Sequence, residues 1–337
     1  MPGYGLTRAR TMGPIAAAVS AAGGSLARVF GKAGIPLTLL DTPDRLILLR
    51  DQPKLIDAAI REIGDPALPA RLSLSTGIAG LGPIGVQVRA AETLGAALAR
   101  VEVVTPLLLQ TATSTGLRRQ GANAFYEYAV AERIESGRQA NEILALGYLL
   151  GTVRHFLGPA WRPEHAVVTG ATLTGRAQIQ ELFGSEVILG ARAGLIFSLD
   201  HLDAPNPKRH DPGVPATGED EPIGDDLAAC VAHLIELGLD EARPSIDGIA
   251  RRLGLSRRSL QRRLDDAGTR YADIQQRIMA RRAKTLLAEP ALPIGRIACE
   301  LGYTDGSHFT RAFLEWTGMT PSQWRRDVRL RGPAKSL

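Results

Sequence analysis

The feature that most constrains this chain is a duplication near its end. Ile246, Ile249, Ala250, Leu253 and Gly254 recur as Ile294, Ile297, Ala298, Leu301 and Gly302, each pair 48 residues apart. Leu260, Arg262 and Leu264 recur as Phe309, Arg311 and Phe313, now 49 apart, so the second copy carries one extra residue in its turn. The first four residues fall at i, i+3, i+4 and i+7, one apolar stripe on a helix. Ala250 is small where a second helix must cross closely. Gly254 stands where the first helix ends and the chain can turn left-handed. Ser256 then caps the next helix by accepting from its free N–H groups. Leu260 and Leu264 fix the buried face of that helix. Arg258, Gln261 and Arg262 are left outward at i, i+3 and i+4, the placement that reaches base edges when a helix lies in the major groove.

The second copy repeats the pattern with other outward residues. Pro293 stands at a helix start, the helix covers 294–301, and the turn covers 302–306. The following helix runs from about Ser307 to Trp316, with Phe309 and Phe313 inward and His308 and Arg311 outward. Thr310 suits a phosphate oxygen. Between the copies, 271–288 reads as one helix whose basic face includes Arg277, Arg281, Arg282 and Lys284. Two tandem helix–turn–helix units are the expectation.

Charge follows the same division. Residues 241–337 carry 19 Lys+Arg against 10 Asp+Glu, while residues 1–240 carry 21 against 25. A polyanion facing the C-terminal part accounts for this, and so does an arginine-rich solvated surface; charge alone does not separate them. Two cysteines, Cys230 and Cys299, exclude a disulfide scaffold and an all-cysteine zinc site. No apolar run reaches the roughly 18 residues of a membrane span. Residues 15–22, behind Arg8 and Arg10, have the outline of a secretory signal. That stretch is short and Ala-rich and runs on into 25–30, so it reads as an opening helix of a cytoplasmic protein.

A chain of 337 residues accommodates two domains. Residues 203–226 hold Pro205, Pro207, Pro212, Pro215 and Pro222 among glycines and acidic residues, which reads as an exposed linker. Before it, helices are expected over 15–31, 53–63, 90–100, 120–134, 138–157 and 175–183. Strands are expected over 45–49, 101–109, 166–173 and 194–199. The fold class is therefore an α+β domain (1–202), a Pro-rich acidic linker (203–226), an all-α domain (227–330) with two helix–turn–helix units joined by a linker helix, and a basic tail (331–337).

Residues 225–330 resemble the DNA-binding domain of the AraC/XylS family of bacterial transcription regulators. The resemblance rests on Ile294-Gly-Arg-Ile-Ala298-Cys-Glu-Leu-Gly302-Tyr303, Ser307-His-Phe309-Thr-Arg311-Ala-Phe313 and Thr317-Gly318-Met-Thr-Pro321-Ser-Gln-Trp324-Arg325. It implies base readout by Arg258, Gln261 and Arg262 in the first unit and by His308 and Arg311 in the second. Ser256, Arg257, Ser307 and Thr310 are the expected phosphate contacts. The family usually carries an arginine near position 279, where this chain has Met279. The N-terminal part is similar to the effector domain of the OruR/ArgR-like branch, through Gly64-Asp-Pro-Ala-Leu68, Leu81-Gly-Pro-Ile-Gly85, Thr93-Leu-Gly-Ala-Ala-Leu98 and Phe156-Leu-Gly-Pro-Ala-Trp161-Arg-Pro163. This similarity implies a small-molecule sensor that forms a homodimer, acting on double-stranded promoter DNA, with RNA polymerase as a further partner.

The competing reading is a nicotinamide- or flavin-dependent enzyme with a basic C-terminal domain. Gly80-Leu-Gly82-Pro-Ile-Gly85 is a formal GxGxxG, behind a strand-like 72–75, ahead of a helical 86–100, with Glu102 as the distant acid. Pro83 inside the turn counts against it. The six histidines show no metal-ligand spacing, no nucleophile elbow or Walker loop appears, and no cofactor, metal or catalytic residue is expected. Effector contacts are sought among polar residues in apolar surroundings: Gln110, Tyr126, Tyr128, Arg154, His155 and Trp161. Glu132 and Arg133 read as an ordinary exposed pair.

Overall fold

A computed structural model describes residues 4–207, 227–239 and 244–331. The chain divides into two compact units, Met1–Asp225 and Asp226–Leu337. In the first, β1 (Leu6–Arg8) pairs antiparallel with β2 (Leu46–Leu48). Helices α1 (Gly13–Ala21), α2 (Leu26–Ala33), α3 (Asp51–Ile63), α4 (Leu68–Thr76), α5 (Pro83–Arg89) and α6 (Leu94–Val104) precede the main sheet. That sheet is built from β3 (Thr113–Gln120), β4 (Asn123–Val130), β5 (His165–Val168), β6 (Glu186–Leu189) and β7 (Ala193–Ser198), in the order β3-β4-β7-β5-β6. Only β5 and β6 run parallel, joined through α8 (Arg176–Phe183). Helix α7 (Arg138–Leu157) buries Leu146, Leu150 and Val153 against Tyr126, Ala166, Leu195 and Phe197 of the sheet. Each such aliphatic side chain contributes about 1.5–3 kcal/mol on burial.

Several expected elements differ from the observed ones. The helix expected over 15–31 breaks after Ala21, where Gly23 takes a φ of 73°. The helix expected over 120–134 is β4, a strand paired on both sides, whose alternating aromatic residues fit a pleated, buried surface. The strand expected over 101–109 is helical: Thr93 caps α6 by accepting from the Ala96 N–H, and the helix ends in a π-helical turn, Thr105–Leu109. The cap starts a turn that the β-branched residues 101–105 then extend. The strand-like 72–75 lies inside α4. The expected exposed linker starts too early, because 203–206 is held by the first unit. Asn206 is buried and donates to the Arg89 and Ala91 carbonyls at 2.5 and 2.8 Å. Residues 208–226 of that stretch and 332–337 of the expected tail lie outside the described residues.

The second unit is helical throughout its described residues: α9 (Leu227–Gly238), α10 (Ile246–Arg252), α11 (Arg257–Asp266), α12 (Tyr271–Ala288), α13 (Ile294–Glu300), α14 (Gly306–Thr317) and α15 (Pro321–Arg331). Helix α12 packs against α9, α13, α14 and α15. Its Met279, Ala283 and Leu287 share a core with Ile297, Leu301, Phe309 and Phe313. Its first turn holds the other copy, since Tyr271 Oη and Gln275 Nε2 both donate to the Pro244 carbonyl, at 2.7 and 2.8 Å.

Candidate functional site

The two copies fold alike. Ile249, Ala250 and Leu253 are buried on α10, and Ile297, Ala298 and Leu301 on α13. Gly254 and Gly302 take φ of 66° and 76°, a left-handed conformation that other residues adopt at a steric cost. Just beyond, Leu255 N–H donates to the Ala250 carbonyl and Tyr303 N–H to the Ala298 carbonyl, at 2.8 and 2.9 Å. The match is still in register there. Ser256 then caps α11, its Oγ accepting from the Ser259 N–H at 3.1 Å. The cap of α14 is Asp305, whose Oδ1 accepts from the Ser307 N–H at 2.7 Å. Thr304 is therefore the extra residue of the second copy.

Aligning the caps gives each outward residue its counterpart. Arg258, Gln261 and Arg262 correspond to Ser307, Thr310 and Arg311, and His308 corresponds to Ser259. Arg258, Gln261 and Arg262 are exposed on α11, as are His308 and Arg311 on α14. Leu260 and Leu264 are buried beneath the first face, and Phe309 and Phe313 beneath the second. Ser256, Arg257 and Ser307 are also exposed, but each already has a local partner. Arg257 Nη1 lies 3.3 Å from Asp247 Oδ2, and Thr310, half-buried, donates to the Gly306 carbonyl at 2.9 Å. The Ser307 N–H holds the Asp305 carboxyl below its usual range, so a negative charge stands at the start of α14. The basic face of α12 is partly engaged, because Arg281 pairs with Glu236 of α9.

The first unit holds a partly open cavity of about 210 Å³. One stripe of α7 lines it, Asn141, Leu144, Ala145, Tyr148, Leu149 and Thr152, at the i, i+3, i+4 spacing of a single helix face. Tyr128 closes one side. Its Oη accepts from Gln110 Nε2 at 2.9 Å and from Asn141 Nδ2 at 2.8 Å. Burial pushes its phenol up to about 12, against the two amide donors, so it is neutral at neutral pH. The glycine-rich segment forms another wall. A Cβ on Gly85 would sit 2.0 Å from the Ile78 carbonyl oxygen, so Gly85 serves close backbone packing, while Gly82 supplies a left-handed turn at a φ of 59°. The segment follows helix α4 and runs into the seven-residue α5, which already includes Gly85, so the strand-to-helix turn of a dinucleotide site is absent there.

Of the six polar residues expected near an effector, Gln110 and Tyr128 line this cavity. The other four do not. Tyr126 donates to the Leu98 carbonyl. Arg154 holds the Trp161 and Phe183 carbonyls. His155 packs edge-on against Phe156, and Trp161 donates to His201 Nδ1 at 3.4 Å. Glu132 is no exposed partner of Arg133. It is buried, accepts from the Gly5 N–H at 2.8 Å and pairs with Arg50. Sequence reading missed Gln52, Asn141, Tyr148 and Thr152, although the α7 stripe, apolar in its middle and polar at both ends, was visible.

Comparison with known proteins gives two family matches. Residues 23–206 match the arabinose-binding domain of AraC transcription regulators, and residues 249–327 match a helix–turn–helix domain. The chain is 31% identical over 303 residues to the HTH-type transcriptional regulator VirS of Mycobacterium tuberculosis, covering 86% of this chain and 88% of VirS. It is 42% identical over 82 residues to the ornithine utilization regulator of Pseudomonas aeruginosa, covering 24% of each chain. VqsM, a transcriptional regulator of the same organism, is 36% identical over 94 residues, covering 27% of this chain and 29% of VqsM.

Proposed function

Because the chain belongs to the AraC family of transcription regulators, we propose that Arg258, Gln261 and Arg262 of α11 and His308 and Arg311 of α14 read bases in two neighbouring major-groove segments. The observation that carries this is the pair of exposed faces on two capped helices, each following a left-handed glycine turn, with α12 running from one copy to the other. Ser256, Arg257, Ser307 and Thr310 stand near the helix starts, where phosphate oxygens meet free N–H groups. The protein acts as a non-enzymatic, cytoplasmic regulator. Its first unit takes a small-molecule effector in the cavity beside α7 and pairs with a second copy, and the complex meets RNA polymerase at the promoter. Effector binding shifts promoter affinity only insofar as it favours one of two protein states.

The 18 residues of α12 span about 27 Å at about 1.5 Å per residue. With the widths of the flanking helices, this suits reading segments about 34 Å apart, one turn of DNA. Sites selected from random DNA by the full chain should therefore hold two short boxes about 10 base pairs apart, centre to centre. Inserting about half a turn between them should reduce binding to that of one box. An unchanged footprint and affinity would leave a single reading unit.

A further inference from the structure

Large hydrophobic side chains exposed on the first unit gather at one place. Among its described residues they are Leu37, Val103, Leu107 and Leu117, and the last three lie on or beside α6. Val103 is 60% exposed and Leu107 48%. With the exposed Ala99 they stand at i, i+4 and i+8, along one side of α6 and the turn that ends it. Leu117 adjoins them from β3. It is the cross-strand neighbour of Tyr126, so both point to one sheet face, and Tyr126 donates to the Leu98 carbonyl of α6. Val101 and Thr105, buried, come two residues further on, about 200° around the helix, and line the cavity. The helix therefore has the cavity on one side and an uncovered apolar strip on the other.

The charges beside the strip select what covers it. Arg100 and Glu102 fall about 80° to either side of the line through Ala99 and Val103. Both are exposed. Arg100 donates to the Gln87 carbonyl of α5 at 3.3 Å on one flank. On the other, Glu102 Oε1 lies 3.6 Å from where a Cβ on Gly116 of β3 would stand. A second copy turned about a two-fold axis parallel to the helix brings the Arg100 flank of each against the Glu102 flank of the other. An antiparallel pair would set like against like. The strip is short, since the 11 residues of α6 span about 16 Å, which suits a reversible contact rather than an obligate one. We propose that the first unit pairs with a second copy through this face, the two α6 helices side by side and parallel, with Val103 and Leu107 meeting their own counterparts. This rests on the reading that the first unit pairs at all, and adds the surface and its arrangement.

Sedimentation velocity of the full chain over a wide concentration range tests this. The wild type should show a concentration-dependent equilibrium between monomer and dimer. Val103→Glu should weaken pairing about a hundredfold or more, because the two new carboxylates face each other across the axis, and Leu107→Glu should do the same. Leu37→Glu, at the exposed hydrophobic away from α6, should leave pairing unchanged. All three positions are open to solvent, so melting temperatures should stay at the wild-type value. The charges report the arrangement. Arg100→Ala should weaken a parallel pair about two- to tenfold, whereas it would relieve repulsion in an antiparallel one. Arg100→Glu and Glu102→Arg should each pair poorly alone and pair with one another when mixed. If the wild type pairs and neither Val103→Glu nor Leu107→Glu loosens it, the pairing reading stands and this surface falls. Equal loosening by Leu37→Glu also overturns the surface, and pairing unchanged or tightened by Arg100→Ala overturns the parallel arrangement. A wild type that stays monomeric throughout the range overturns both the inference and the pairing reading.

Discussion

The two helix–turn–helix copies share a backbone plan and differ in what fills it. The first is packed by leucine and isoleucine, is capped by a neutral serine, and presents two arginines and a glutamine. The second is packed by rings: Phe313 lies 5.8 Å from Phe309 and 6.5 Å from Trp324, and Phe309 lies 5.7 Å from Tyr303. Its cap is an aspartate, and of the three positions matching the first copy's outward set only Arg311 is charged. Duplication thus preserved the turn geometry while letting packing and electrostatics diverge. The first copy has an uncompensated positive helix start, whereas Asp305 offsets the second. Salt-dependent affinity is accordingly expected to reside more in the first.

The largest test of this contrast is in the cores. Phe313→Ala should destabilise the second unit by about 3–5 kcal/mol and Leu264→Ala by about 2–5 kcal/mol, read by chemical denaturation of the full chain. A smaller loss for Phe313→Ala than for Leu264→Ala would show that the ring cluster adds no hold over aliphatic packing.

Base readout comes next in size. Arg262→Ala should cost about 1–3 kcal/mol at one preferred base in one box, and Arg311→Ala a like amount in the other. Competition among single-base operator variants measures both. A uniform loss across variants for either arginine would move that residue to the phosphate backbone.

The caps should give the smallest effect. Asp305→Asn keeps a good cap but removes the charge, and should tighten binding to every DNA sequence about two- to fivefold. Ser256→Asp should do the reverse. Because the folded-state pKa of Asp305 is lowered, its stabilising contribution is present above the ordinary aspartate value of about 3.9. It is lost as pH falls through the lower folded value. The wild-type and Asp305→Asn stability profiles should therefore run parallel at neutral pH and converge only in acid. Convergence near neutrality would place the carboxyl in its ordinary range.

The second unit was legible almost to the residue because its signals are local. A stripe at i, i+3, i+4, a glycine and a cap all fall between residues 246 and 256, and the linker helix expected over 271–288 is observed as Tyr271–Ala288. What the sequence hid there was the Asp305 cap, since the inserted Thr304 shifts the start of α14 by one residue. The first unit was less legible because its sheet is held by distant partners. Tyr126 pairs with Leu117 on one side and Leu195 on the other, and nothing within 120–134 announces either neighbour. The cavity was half-visible for the same reason: Gln110 and Tyr128 read as odd polar residues, but only the fold brings Gln52 beside them.

Asn206 defines where this sensor could be transplanted. Its side chain holds the carbonyls of Arg89 and Ala91, on the chain that joins α5 to α6, and α6 carries Val101 into the cavity wall. A chimera cut at residue 202 would expose two carbonyls and loosen a segment beside the cavity. A cut after Asn206 would carry the closure along with the sensor. For grafting onto another DNA-binding module, the portable part is therefore four residues longer than a proline count would make it.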